Sequence, residues 1–165
     1  MGFAVLDLLA SETRSLGEGG WEKKYDSQFL KLKDVILAKP QTFMNLSGKA
    51  VKEMVKFFPD FHLVVVHDEL DFPLGTIKIM KNISSAGHNG VQSVIDELGT
   101  QDFVRIRLGV NNPETKGQTP PDDYVLGKFA KAEKSLANEM LIKARQALEI
   151  IQTEGLEAAQ SKFNG

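Results

Sequence analysis

The chain has 165 residues, 42% hydrophobic and 25% charged, with a net charge of -2, the size and make-up of one globular domain spanning 1–165. It has no cysteine, so disulfide frameworks, zinc ribbons and thiolate nucleophiles are excluded, and any nucleophile must be an oxygen or a water. The slightly acidic balance argues against a dedicated nonspecific nucleic-acid binder, while leaving room for a local basic surface.

No apolar run approaches the ~20 residues of a membrane helix, and no secretory signal pattern opens the chain, so a cytoplasmic location is expected. Gly2 to Arg14 is predicted to be helical, with Phe3, Leu6 and Leu9 on one face. Phe29 to Ala38 alternates apolar and charged residues, which suits paired strands or one bent strand, ended by Lys39-Pro40. Leu46 to Phe58 repeats apolar residues at helical spacing and sets Lys49, Lys52 and Lys56 on the other face. Leu63 to Val66 is too short for a helix and reads as a buried parallel strand leading into His67-Asp68-Glu69-Leu70-Asp71.

Thr76 to Met80 alternates again, and Val91, Val94, Ile95 and Leu98 mark a helix that Gly99 can end. Phe103 to Val110 is a further strand. The Pro-rich stretch from Asn111 to Asp123 is expected to be a surface loop. From about Ala130 to about Ala159, Leu136, Ala137, Met140, Leu141, Ala144, Leu148 and Ile151 predict one long helix, or two broken at Gly155. Strands alternating with helices define an α/β class, expected as a single domain with a mixed, mostly parallel twisted sheet flanked by helices.

Ligands of open α/β sheets bind beyond the carboxyl ends of the parallel strands, where Asp68 is predicted to lie. A carboxylate there can orient a histidine that activates water; the alternative is a loop or cap aspartate. Glu69 and Asp71 raise a carboxylate–metal reading, although no second acidic cluster accompanies them. Asn45 stands at the start of the lysine-bearing helix, where it can bind substrate or, like Ser47, serve as a cap. Asn89, in Gly87-His88-Asn89-Gly90, offers a donor and an acceptor and is likewise a capping candidate. His67 and His88 beside turns are expected to make structural hydrogen bonds rather than act as bases. Lys78, Lys81, Arg105 and Arg107 are grouped basic residues for which a solvated charged face is the bland alternative.

Taken in order, these motifs resemble bacterial-type peptidyl-tRNA hydrolases. The segment Lys39-Pro40-Gln41-Thr42-Phe43-Met44-Asn45-Leu46-Ser47-Gly48-Lys49-Ala50-Val51 is the most specific. His67 to Asp71, Gly87 to Gly90, Arg105 to Val110, Tyr124 to Phe129 and Lys162-Phe163-Asn164 are similar to further family segments. The resemblance implies hydrolysis, by a histidine-activated water and without metal or cofactor, of the ester between a peptide and the 3′ ribose of tRNA. It implies that Asp68 orients the histidine, that Asn45 and Asn89 bind substrate and water, and that Phe43 and Met44 line the cleft. Lys78 and Arg107 match positions facing tRNA phosphates, and the protein is expected to act as a monomer.

Three departures accompany the resemblance. It starts at Gly2, whereas the family begins with a strand, an Asn-Pro-Gly turn and an Arg-His-Asn triplet, so the first strand and the general-base histidine are expected to be missing and activity impaired. Ala86 stands where a glycine is usual, and Met80 where a lysine or arginine is common. The competing expectations are a noncatalytic RNA-binding relative of the family and a carboxylate–metal phosphohydrolase.

Overall fold

A computed structural model of the chain describes residues 1–14, 20–111 and 131–164. The expected loop beyond Asn111 and the Tyr124 to Phe129 segment lie outside them. The chain divides into two compact units: Met1–Val5, Val66–Met80 and Arg105–Gly165 form one, and Leu6–Val65 with Lys81–Val104 the other.

Helix α1, Gly2–Arg14, has the expected bounds. The alternating segment after it resolves into the hairpin strands β2, Ser27–Lys31, and β3, Ile36–Pro40. They pair antiparallel with Phe29 opposite Ala38. A short strand β1, Glu22–Lys24, adds to β2 with Lys23 opposite Gln28. Its three residues are all exposed and charged, so no apolar alternation announced it. Lys39 is buried at the end of β3, its Nζ 2.5 Å from Asp7 and 4.1 Å from the Trp21 ring centre. That anchor fixes where the chain leaves the sheet toward residue 43.

Met44–Leu46 forms a 3₁₀ turn that runs into helix α2, Ser47–Phe57. Helix α3 is Asn89–Leu98, ended by Gly99 in the left-handed conformation at φ 68°. The apolar face of α2 (Ala50, Val51, Met54) packs with Val91 and Val94 of α3, Phe29 and Phe103 in one core, while Lys49, Lys52 and Lys56 stay solvated as expected. The two helices touch at Gly48, whose N–H donates to Ser93 Oγ at 3.0 Å. A β-carbon there would lie 2.0 Å from the Ser93 carbonyl oxygen, so only glycine admits this approach.

Strand β4, Val64–Pro73, is longer than expected. It does not stop at Val66 but carries His67 to Asp71 within it, so Asp68 lies inside the strand rather than past its end. The cause is the neighbouring strand β6, Val104–Asn111, long enough to keep the His67 to Asp71 segment extended beside it. Strand β5, Ile77–Lys81, lies on the other side of β6, giving the order β4-β6-β5. Val104 N–H donates to Leu63 O and Leu74 N–H to Asn111 O, so β4 and β6 run parallel. Gly109 N–H donates to Thr76 O, and Lys81 pairs with Asp102, so β5 runs against them. This sheet is mixed. Among the described residues, the expected single, mostly parallel sheet is instead two three-stranded sheets, the first of them antiparallel, because the 27–40 hairpin pairs only locally.

The C-terminal helical segment is two helices, α4, Lys131–Thr153, and α5, Leu156–Phe163. Gly155, at φ 94°, makes the break at the residue that predicted it. Ala137, Met140, Leu141, Ala144, Ala147 and Ile150 are the buried stripe of α4, whereas Leu136 is exposed.

Candidate functional site

The predicted site residues fall into two groups, one in each compact unit. In the unit built on β4, β5 and β6, the burial of β4 alternates: His67 and Glu69 are buried, and Asp68 between them is half-buried. Successive strand side chains point to opposite faces, so Asp68 is presented on the face away from His67 and Glu69. The His67 ring lies with Nδ1 2.7 Å from the Asp68 carbonyl oxygen. A carbonyl only accepts, so Nδ1 carries the proton, and this ring holds the Asp68 peptide as the structural reading expected.

Behind Asp68 lies an ion pair. Glu69 Oε2 accepts from Arg107 Nε at 2.8 Å and Nη2 at 2.6 Å, and its Oε1 accepts from the Asp71 N–H at 3.2 Å. Arg107 also reaches Met80 Sδ at 3.4 Å and stacks 4.5 Å from the Phe72 ring centre. Burial pushes the Glu69 carboxyl up, but the hydrogen bonds from Arg107 and Asp71 and the charge of Arg107 overcome it and hold the group below the ordinary carboxylate value. Burial, then the like charge of Arg107, lowers Arg105, with Glu69 opposing. Arg105 and Arg107 are therefore not the solvated face that their spacing suggested; both are buried. Lys78 is half-buried, and its Nζ donates to the Asn164 carbonyl oxygen.

In the other unit, Phe43 is 81% and Met44 57% exposed, and Asn45 is exposed beside them. Neither the 3₁₀ turn nor α2 has a side-chain cap, so Asn45 and Ser47 do not serve that role. The start of α3 reaches the same turn: a β-carbon on Gly90 would lie 2.5 Å from Met44 Sδ. The structure thus brings Met44, the neighbour of Phe43 and Asn45, against the first turn of α3, which begins at Asn89. The cap of α3 is His88, whose Nδ1 accepts from the N–H groups of Gly90 at 3.1 Å and Val91 at 3.2 Å. Accepting at Nδ1 places the ring proton on Nε2 and occupies His88 structurally. Asn89, spared the capping role considered for it, stays exposed.

Sequence reasoning missed two features. The Glu69–Arg107 pair joins residues 38 apart, and no local pattern signals it. The Asn164 contacts explain the closing Lys162-Phe163-Asn164 segment, whose motif was visible but whose purpose was not. Among the described residues, no group of three or more His, Cys, Asp or Glu is placed to hold a metal. Glu69 is instead directed at Arg107 and Asp71.

Each unit thus holds polar candidates of its own: exposed asparagines with exposed apolar side chains in one, and a strand-borne aspartate backed by a buried ion pair in the other. The family model for peptidyl-tRNA hydrolase matches residues 1–165. A peptidyl-tRNA hydrolase of Bdellovibrio bacteriovorus is 40% identical over 170 residues, covering 99% of this chain and 89% of the relative. One from Thermodesulfovibrio yellowstonii is 42% identical over 175 residues, covering 99% and 88%. The crystal structure of a mutant peptidyl-tRNA hydrolase from Acinetobacter baumannii superposes with a TM-score of 0.81 at 27% identity, over 99% of this chain and 84% of that one. The chain belongs to the peptidyl-tRNA hydrolase family. By family it is a carboxylic ester hydrolase connected with translation.

Proposed function

We propose that the chain cleaves the ester joining a peptide to the 3′ ribose of tRNA, as a single-domain monomer in the cytoplasm. Water adds to the ester carbonyl, its proton passes to a histidine, and the ribose 3′ oxygen leaves with a proton, giving a free peptide and tRNA. In this reading Asp68 orients and stabilises the histidine, Asn45 and Asn89 bind substrate and water, and Phe43 and Met44 hold the substrate's apolar parts. The observation that carries it is the 43–45 turn beside Asn89, which exposes side chains that no internal capping role accounts for.

The general base is proposed to come from the family's Arg-His-Asn triplet, for which residues 1–165 contain no counterpart. Hydrolysis by residues 1–165 should therefore rise ~10²–10⁴-fold when the family's N-terminal strand and triplet precede Gly2. In that longer protein, Asp68→Asn should lower turnover far more than substrate affinity. Equal turnover with and without the segment would sink the assignment of the base. Binding of tRNA without any hydrolysis by the longer protein would favour a noncatalytic RNA-binding relative.

Lys78 and Arg107 are the proposed phosphate contacts. Arg107 is buried on Glu69, so reaching a phosphate requires that pair to open. If it does, Arg107→Ala reduces the slope of log affinity against log salt by roughly 0.7–0.9. An unchanged slope in a folded variant removes Arg107 from the tRNA surface and leaves Lys78.

A further inference from the structure

The closing residues of the chain are bound to the strand that carries Lys78. Among the described residues β5 is an edge of its sheet, and an edge strand presents unpaired backbone groups. Within a strand the N–H and C=O of one residue point the same way, and at Ile79 the side-chain amide of Asn164 meets both. Ile79 N–H donates to Asn164 Oδ1 at 2.7 Å, and Asn164 Nδ2 donates to Ile79 O at 2.8 Å. Gln160 Nε2, one helical turn earlier, donates to the same carbonyl at 3.1 Å. Only one orientation of the Asn164 amide satisfies both bonds, so the side chain imitates one residue of strand pairing and fixes its own backbone beside β5. The main-chain carbonyl of Asn164 then accepts from Lys78 Nζ.

A lysine side chain carries rotamer entropy that a phosphate contact must otherwise overcome. A neutral carbonyl acceptor restrains the ammonium without cancelling its charge, and two N–H groups remain to donate. Restraint before binding lowers the cost of binding. We propose that Asn164 is a positioning residue for tRNA binding: by clasping Ile79 it aims Lys78 at a tRNA phosphate. The proposal rests on the phosphate-binding reading of Lys78.

The test is a double-mutant cycle on Lys78→Met and Asn164→Ala, with deacylated tRNA as the probe and affinity followed across salt concentration. Lys78→Met is expected to reduce the salt slope by roughly 0.7–0.9. Asn164→Ala is expected to reproduce at least about half of that loss, and the double variant to bind no more weakly than Lys78→Met alone, since non-additivity marks residues acting through one contact. A merely structural role would lower the unfolding temperature without altering the slope. If Asn164→Ala loses its helical circular dichroism, Asn164→Ser, whose short hydroxyl cannot span both groups of Ile79, takes its place in the cycle. A normal slope for the Asn164 variant beside a reduced one for Lys78→Met overturns the positioning role alone, as do additive losses. An unchanged slope for Lys78→Met overturns the phosphate reading and the positioning role with it.

Discussion

The β4–β6 strand pair and the 43–46 turn invert the usual rule of burial in opposite directions. The strands take charged groups inside: Glu69, Arg105 and Arg107 are each less than a tenth exposed. The turn leaves apolar groups outside, with Phe43 more than four-fifths exposed. Burying a charge is costly unless a partner compensates, and Glu69 and Arg107 compensate one another across adjacent strands. An exposed cluster of apolar residues has no such internal account and marks a surface meant for something else. The difference separates residues that hold a strand in place from residues proposed to meet a substrate, a distinction that residue type alone does not make.

Removing one side of the buried pair is the harshest way to break that contrast. Glu69→Gln leaves Arg107 without a counter-charge in a buried place, and a loss of about 3–5 kcal/mol in urea unfolding is expected. Replacing both partners, Glu69→Leu with Arg107→Met, should recover most of it. A loss under about 1 kcal/mol for Glu69→Gln would mean that the pair behaves as an exposed one.

The same pair has a signature in pH. The folded-state value of Glu69 is depressed, so its contribution is present above the unfolded value of about 4.3 and is lost as pH falls through the lower folded value. Stability measured on the acid side should thus fall less steeply in Glu69→Gln than in the parent. Identical acid slopes would place the acid-sensitive carboxylates elsewhere.

A smaller effect is expected where a polar side chain is committed to local structure. His88→Ala should lose about 1 kcal/mol by uncapping α3, whereas His88→Asn, which caps as well, should lose little. Equal losses would deny the capping role and reopen His88 as a base. The smallest stability effect belongs to the exposed turn: Phe43→Ala should stay within about 0.5 kcal/mol of the parent. Its consequence should appear instead as a raised KM for peptidyl-tRNA in the protein carrying the N-terminal segment. An unaltered KM would take Phe43 off the substrate surface.

Local pattern determined a good deal of this protein. Helical periodicity marked α1 and α2, Gly99 and Gly155 marked the ends of α3 and α4, and the order of motifs from Lys39 to Asn164 marked the family, because these signals lie within a few residues of one another. Strand β1 escaped notice, since three exposed charged residues become a strand only when β2 lies beside them. Asp68 was singled out by its expected place past a strand end and then by its motif, yet it lies within β4 rather than beyond it, which was decided by β6. Finding the cap also required coordinates: Asn45, Ser47 and Asn89 are polar residues near helix starts and were the capping candidates, yet backbone direction gives that role in α3 to His88 and frees Asn89. The tertiary structure alone decided the partners of charged and polar groups far apart in the chain, Glu69 with Arg107 and Asn164 with Ile79 and Lys78. Hydrogen bonds and ion pairs act over a few ångströms, and folding, not sequence separation, sets which groups come within that reach.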